Sequence, residues 1–206
     1  MDNPQVILIG GPPGAGKTTL CRSLAGRLAF LASTADDLVV AARTVTTEAS
    51  HPDLYAMRPI GFTKYFTEGP VDKLIADSLA VEETMWPALE RVIASHTGSK
   101  APIVIDWWLL SPARVVELAS PQVKSIWIHI DPIALEARER KNTEFLADSP
   151  DPEQMLAKFM HRSLWRNEVI AEQASAMGLP VLHLDGTEAP ADVADRALEM
   201  LGLSVP

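Results

Sequence analysis

The sequence has a single cysteine and no long apolar run. With Cys21 alone among 206 residues, the chain has no intrachain disulfide framework of the kind that stabilises small secreted domains. No apolar stretch approaches the roughly 20 residues that a membrane-spanning helix needs. The first apolar run, residues 5–9, is short and has no basic lead, unlike a secretory signal. These features favour a cytoplasmic protein.

Basic residues are also scarce. The chain has 18 lysines and arginines against 27 aspartates and glutamates, a formal net charge of -9. Nucleic acids and anionic membranes are usually bound by basic surfaces, so neither is an expected partner. No histidine and cysteine spacing indicates zinc, and no serine nucleophile motif is present. His129 and His183 lie in apolar runs and are predicted to be core residues.

The most informative segment is glycine-rich and follows the apolar run 5–9. Gly11, Gly16, Lys17 and Thr18 occupy the fixed positions of the phosphate-binding P-loop pattern. Its backbone N–H groups surround phosphate oxygens, Lys17 supplies a positive charge, and Thr18 offers a hydroxyl to Mg²⁺. A dinucleotide-binding loop would need a third glycine where Thr19 stands. The predicted ATP-binding residues are Gly11, Pro12, Pro13, Gly14, Ala15, Gly16, Lys17, Thr18 and Thr19.

Apolar runs alternate with helix-like stretches along the chain. The runs predict five strands, and their nearly continuous apolar character is typical of a parallel sheet covered on both faces. We therefore predict one α/β domain over residues 1–206 with the three-layer P-loop NTPase fold. The predicted strands are 5–9, 29–33, 102–106, 124–130 and 179–184. The predicted helices are 18–28, 71–96, 111–119, 152–177 and 191–201, with 44–70 as a loop carrying short helices.

Three acidic residues lie at or just after the carboxyl ends of predicted strands, where open α/β folds bind ligands. Asp36 and Asp37 are interpreted as substrate-binding, with Asp36 accepting the proton of an attacking hydroxyl. The alternative for Asp36 is a cap on a helix that begins near Leu38. Asp106 ends an apolar strand in the manner of a Walker B acid and is predicted to bind metal or substrate, the alternative being a turn residue. Trp107 is assigned to the substrate site, and the alternative for the pair Trp107 and Trp108 is a place in the core or in a pocket wall.

Basic residues near the end of the fourth strand suggest a lid. Arg138 is predicted to act on the transferred phosphate, whereas Arg140 and Lys141 lie nearby and could equally pair with neighbouring glutamates. On the next long helix, Arg162 or Arg166 becomes a second lid cation if that helix folds back over the nucleotide. Thr187 follows the last strand, where a loop would pass the nucleotide base, or else belongs to a simple turn.

With these residues assembled, the chain resembles P-loop kinases of the nucleotide and small-metabolite type, which include gluconate, shikimate, adenylate and chloramphenicol kinases. The resemblance implies a helical lid at about 132–166 and an acceptor-binding helical region at about 36–97. Lys17, Thr18 and Asp36 match the family's phosphate, magnesium and acceptor positions, and Arg138 matches a lid arginine. In adenylate-type kinases, arginines bind a phosphate group of the acceptor. Arg58 is the candidate for such an arginine in this chain.

Residues 104–112 are similar to the acidic strand end and proline-bearing turn of 2-phosphoglycerate-kinase-like proteins. Asp106 stands where many of those sequences have glutamate, and Trp107 replaces the glycine that follows it. The leading hypothesis is ATP- and Mg²⁺-dependent phosphotransfer to a hydroxyl of a small-molecule acceptor. The alternatives are a nucleotide or polynucleotide kinase and a non-catalytic ATP-binding regulator. The sequence leaves the acceptor's identity open, and it fits both a monomer and a homodimer.

Overall fold

The computed structural model describes residues 4–57, 61–99, 101–141 and 146–204, and these contain five strands and eight α-helices. The strands are β1 (Val6–Gly10), β2 (Leu31–Thr34), β3 (Ile103–Asp106), β4 (Val123–Ile130) and β5 (Val181–Leu184). The helices are α1 (Lys17–Leu28), α2 (Ala35–Val45), α3 (Phe62–Glu68), α4 (Val71–Thr97), α5 (Pro112–Glu117), α6 (Pro132–Glu139), α7 (Pro152–Ala176) and α8 (Pro190–Leu201). A 3₁₀ helix, Pro52–Tyr55, lies between α2 and α3.

The five strands form one sheet in the order β2-β3-β1-β4-β5. All four pairings are parallel, which confirms the predicted α/β class and strand number. In the register, Asp106 of β3 lies opposite both Ile9 of β1 and Thr34 of β2. The segments that follow β1, β2 and β3 therefore leave the sheet on the same side, at the carboxyl ends of the strands. The P-loop lies on this side.

Helices cover both faces of the sheet because alternate strand residues point to opposite sides. On one face, α1, α8 and the first half of α7 pack on residues such as Ile7 and Ile9. On the other face, α2, α4, α5 and the end of α7 pack on residues such as Leu8 and Ile105. Truncating a fully buried residue such as Leu8 to alanine is expected to destabilise the fold by about 2–5 kcal/mol.

The second strand differs from the prediction. Helix α1 ends at Leu28, and Ala29 adopts a left-handed conformation at φ 55° that closes the helix, so β2 begins at Leu31 rather than at 29. It is also half-exposed, with 54% of Leu31 accessible, whereas β1 is fully buried. The reason is position: β2 is an edge strand and has a neighbour only on the β3 side.

Local signals explain where the later helices begin. Asp131 caps α6 by accepting the N–H groups of Ile133 and Ala134, and Asp151 caps α7 by accepting the N–H of Gln154. In both helices a proline follows the cap, where its missing N–H is not needed. None of the described helices is both long and apolar enough to cross a bilayer.

Candidate active site

The P-loop connects β1 to α1. Gly10 ends β1 against Trp127 of β4, where an added Cβ would overlap the indole ring, so the close approach of these strands requires glycine. Gly16, at φ 95°, precedes Lys17, the first residue of α1. The loop therefore wraps the positive end of a twelve-residue helix, an arrangement suited to a phosphate.

Lys17 lies inside this loop. Its side chain is buried, and Nζ donates a hydrogen bond to the Pro12 carbonyl at 2.7 Å. Burial lowers the pKa of Lys17 to about 8, although the nearby negative charges of Asp106 and Asp36 act in the opposite direction. A bound phosphate would supply further negative charge and restore the fully charged ammonium.

Asp106 lies beside the first turn of α1. Its Oδ1 accepts from the hydroxyl of Thr18 at 3.2 Å and of Thr34 at 3.4 Å. Its Oδ2 is buried and has no hydrogen-bond partner among the residues the structure describes. Burial raises the pKa of Asp106, partly offset by the Lys17 ammonium and the two hydroxyls. A carboxylate with an unused oxygen beside a threonine hydroxyl fits the donor preference of Mg²⁺, so Thr18 and Asp106 are the residues that would hold it.

Asp36 lies in the first turn of α2, close to the P-loop. The helix begins at Ala35, and its capping side chain is Thr34, whose hydroxyl accepts the N–H of Asp36 at 3.4 Å. The Asp36 carboxylate is accessible to solvent but lies in a concave wall that limits its hydration, which raises its pKa. The charge of Lys17 partly offsets this rise. Asp36 is therefore in the helix rather than at its cap, the alternative considered from the sequence.

A cavity of about 220 Å³ opens beside Asp36, and we call it the acceptor cavity. Its wall comes from α2, the 3₁₀ helix, α3, α4, the segment after β3, and α7. The lining residues are Asp36, Val39, Val40, Arg43, Asp53, Ala56, Met57, Tyr65, Asp77, Ser78, Val81, Trp108, Leu109 and Arg162. Asp37 and Trp107 do not line it: Asp37 is exposed elsewhere on α2, and Trp107 is buried in the core.

Trp107 nevertheless contributes to the electrostatics of the site. Its indole Nε1 is buried and has no well-formed hydrogen bond within the described ranges. The N–H lies close enough to Asp36 to favour the charged carboxylate and lower its pKa against the effect of burial. Trp107 thus favours the ionised form of Asp36 from the core side of the cavity wall, a role that the sequence did not indicate. Its neighbour Trp108 forms part of the cavity wall.

Arg162 on α7 faces the acceptor cavity. Its guanidinium lies 4.7 Å from the ring centre of Trp108, 5.0 Å from that of Phe66 and 5.3 Å from that of Phe159. Burial lowers its pKa to about 10, and its Nε has no hydrogen-bond partner in the described part of the chain. The charged group is thus held by aromatic faces at the wall of the acceptor cavity.

The other lid candidates are placed differently. Arg166 is buried in a structural contact with Glu82 at 3.4 Å and with the carbonyl groups of Trp108 and Leu110. Arg140 pairs on the surface with Glu136 and Glu153, in agreement with the alternative considered for it. Lys141 is exposed at the end of α6. Arg58 lies outside the described residues.

A second cavity, of about 330 Å³, lies on the other side of the P-loop, and we call it the donor cavity. Arg138 borders it and points its guanidinium at the carbonyl oxygens of Ala15 and Gly186, 3.4 Å from each. Thr187 is not part of the wall, because its N–H and hydroxyl donate back to Asp185 in a turn. The lining residues are Gly14, Ala15, Gly16, Thr19, Leu20, Ile128, Arg138, Leu184, Glu188, Pro190 and Val193.

Three residues at the site escaped the sequence reasoning: Tyr65, Asp77 and Glu139. Tyr65 donates to Asp77 at 2.8 Å in the acceptor cavity. Glu139, buried against the P-loop, would collide with a Cβ added to Gly14, which has φ 76°. Burial raises the pKa of Glu139, and the Lys17 charge partly offsets this. Of these residues, only Glu139 could have been identified from the sequence, because it is adjacent to Arg138, a predicted site residue.

Solved structures with a similar fold include three kinases. A sugar kinase from Janibacter sp. HTCC2649 is 17% identical and aligns over 98% of this chain and 96% of its own, with a TM-score of 0.59. A gluconokinase from Sinorhizobium meliloti 1021 is 16% identical over 98% and 94% of the two chains, with a TM-score of 0.55. A shikimate kinase from Bacteroides thetaiotaomicron is 20% identical over 96% and 98%, also at 0.55.

No protein-family model matches the chain, and no curated protein matches its sequence. At identities of 16–20%, the likeness to solved structures concerns the fold. The alignments span nearly the whole of both chains in each case. The chain therefore has the three-layer α/β fold with a parallel five-stranded sheet found in P-loop small-metabolite kinases, as the sequence predicted.

Proposed function

We propose that the protein is an ATP-dependent phosphotransferase that moves the γ-phosphate to a hydroxyl group of a small-molecule acceptor. The observation that carries the proposal is the position of Asp36. Its carboxylate lines the acceptor cavity and is also close enough to Lys17 for each to shift the other's pKa. A hydroxyl bound there would lie between a proton acceptor and the phosphate-binding loop, as phosphoryl transfer requires.

On the donor side, the P-loop backbone and Lys17 bind the phosphates of ATP. Thr18 and Asp106 hold Mg²⁺, which when bound neutralises charge on the phosphate oxygens. Arg138, between the P-loop and the turn after β5, contacts the nucleotide in the donor cavity. Phosphoryl transfer depends mainly on positioning and charge stabilisation, and these residues provide both.

On the acceptor side, Asp36 takes the proton of the attacking hydroxyl at its carboxylate oxygen. Arg162, which lines the cavity, offers its positive charge to an anionic group of the acceptor. The cavity of about 220 Å³ is smaller than the roughly 300–1,000 Å³ of pockets for drug-sized ligands, which favours a compact metabolite over a polynucleotide.

The test is an ADP-release assay with Mg²⁺ and ATP over sugar acids, nucleosides, nucleotides, aminoglycosides and phosphoglycerates, with Lys17→Ala as the blank. We expect at least one compact hydroxyl acceptor to stimulate ADP release in the wild type and not in the variant. Tight ATP binding with no stimulation by any acceptor would contradict the proposal and favour a regulator. Phosphorylation of 5′-hydroxyl oligonucleotides alone would favour a polynucleotide kinase.

A further inference from the structure

Two histidines face each other in a surface depression that adjoins the donor cavity, since Leu184 and Glu188 line both. His129 of β4 and His183 of β5 are paired in register, and their Nδ1 atoms lie 3.3 Å apart. The ring centres are 5.1 Å apart, with the ring planes inclined at 61°. The expectation that both are core residues is wrong: His183 is exposed and 22% of the His129 side chain is accessible. The reason is that the pair lies where β4 and the edge strand β5 meet the surface.

The geometry of this pair points to a metal site. A tetrahedral ion bound about 2.0–2.1 Å from each of two imidazole nitrogens places those nitrogens about 3.3–3.4 Å apart, and the ring centres about 5 Å apart. Both observed distances match. We propose that His129 and His183 bind a transition-metal ion through their Nδ1 atoms, with Zn²⁺, Ni²⁺ and Cu²⁺ as the ions that imidazole ligands favour.

The neighbours of His129 orient its imidazole ring for metal binding. Its Nε2 lies 3.2 Å from Oε1 of Glu168, so the ring can donate there and leave the Nδ1 lone pair free. Glu168 in turn accepts from Asn167 at 3.0 Å. Asn167 is fully buried and bonded through its amide to both the N–H and the carbonyl of Ile130. A carboxylate fixed in this way orients the imidazole, as outer-shell partners do in metal sites.

The surroundings allow an ion to enter and favour positive charge. The pair lines an open surface depression together with Asp131, Asp185 and Glu188, against the single cation Arg196. Within the described residues, no group of three or more histidine, cysteine, aspartate or glutamate side chains is arranged to hold a metal. Two imidazoles therefore supply the protein ligands, and water completes the coordination. The proposal does not rest on the proposed kinase activity, although the depression borders the donor cavity.

The test is calorimetric titration of the untagged full chain with Zn²⁺, together with electron paramagnetic resonance of the Cu²⁺ form. We expect one ion per chain and a Cu²⁺ spectrum with hyperfine coupling to two imidazole nitrogens. His129→Gln and His183→Gln should each weaken metal binding by at least about tenfold. Substituting a residue that only orients a metal ligand already lowers the affinity by about that factor, and these two residues are the ligands themselves. Glu168→Gln should weaken it by about tenfold without changing the number of coupled nitrogens.

The matched control is His161→Gln, an exposed histidine on α7, which should leave the affinity unchanged. Thermal unfolding of each variant checks that it is folded, and His183 is exposed enough for its substitution to be tolerated. Unchanged stoichiometry and affinity in the double variant would overturn the proposal. So would a Cu²⁺ spectrum of the wild type that shows fewer than two coupled nitrogens, since the ion would then be bound elsewhere.

Discussion

The donor and acceptor sides of the candidate site are built in different ways. On the donor side, the phosphate-binding loop is one continuous segment, from Gly10 to Thr18, between a buried strand and a helix. The acceptor cavity draws its wall from α2, the 3₁₀ helix, α3, α4, α7 and the segment after β3. Asp36 and Arg162, which face the same cavity, are brought together only by the packing of α7 against the rest of the chain.

This difference follows from what each side recognises. Phosphate is bound largely by backbone N–H groups, which a short glycine-rich segment can position by itself. An acceptor is recognised by side chains that converge from several elements, and small changes in those elements alter the pocket without disturbing the P-loop. Substitutions on the donor side should therefore affect every acceptor equally, whereas those on the acceptor side should affect acceptors selectively.

The largest expected effect is that of Lys17→Ala. Removing the buried ammonium takes away the positive charge that follows the transferred phosphate, so ADP release should fall by about 10³-fold. The fall should be equal for every active acceptor, measured as kcat/KM. Lys124→Ala, at the amino end of β4, is the control and should retain activity. A loss confined to some acceptors would contradict the assignment of Lys17 to the donor side.

The next effect is that of Asp36→Asn. Without the proton acceptor, kcat should fall by about 10²–10³-fold, while the affinity for ATP measured by calorimetry should change little. Asp37→Asn is the matched control, since its side chain is adjacent in sequence but does not line the cavity. Equal losses in the two variants would indicate a general effect on α2 and would remove Asp36 as the base.

The same residue predicts a pH dependence. The limited hydration of Asp36 in the cavity wall raises its pKa, and the base must be ionised to act. As the pH decreases, kcat/KM should therefore begin to fall at a pH above the ordinary aspartate pKa of about 3.9. Asp106 has its pKa raised in the same direction and contributes to the same limb. A pH profile that is flat down to about 4 would contradict this expectation.

Asp106→Asn should separate activity from stability. Because burial raises the pKa of Asp106, its ionised form costs stability at neutral pH, and a neutral amide removes that cost. We expect a higher Tm without ligand and an activity reduced by about 10–100-fold at limiting Mg²⁺. In the wild type, the same cost should begin to decline as the pH falls through the raised pKa, and it should be gone below the ordinary aspartate pKa of about 3.9. A lower Tm in the variant would show that the carboxylate instead stabilises the fold.

Arg162→Lys is expected to have the smallest effect and the most selective one. Lysine keeps the charge but loses the planar group that lies on the rings of Trp108, Phe66 and Phe159. KM for an anionic acceptor should rise by about tenfold, with KM for ATP unchanged. Arg140→Lys on the surface is the control. An equal rise in both KM values would place Arg162 with the donor rather than the acceptor.

Several sequence interpretations failed for identifiable reasons. The second strand was predicted two residues early because its apolar pattern begins inside the turn that closes α1, where Ala29 has φ 55°. The charge pattern of α7 did not distinguish Arg162, which faces the cavity, from Arg166, which is buried against Glu82. The residues lie one helical turn apart, and only the surrounding elements give them different environments.

The sequence alone determined the number of strands and their succession along the chain, the parallel sheet and the position of the phosphate loop, whereas the order of strands within the sheet came from the structure. These depend on local patterns: apolar runs, helix caps and a glycine-rich turn act over a few neighbouring residues. Tertiary structure alone decided which side chains line the acceptor cavity, that Thr34 rather than Asp36 caps α2, and that His129 meets His183. Such contacts join residues far apart in the chain, and their distances depend on how whole helices and strands pack together.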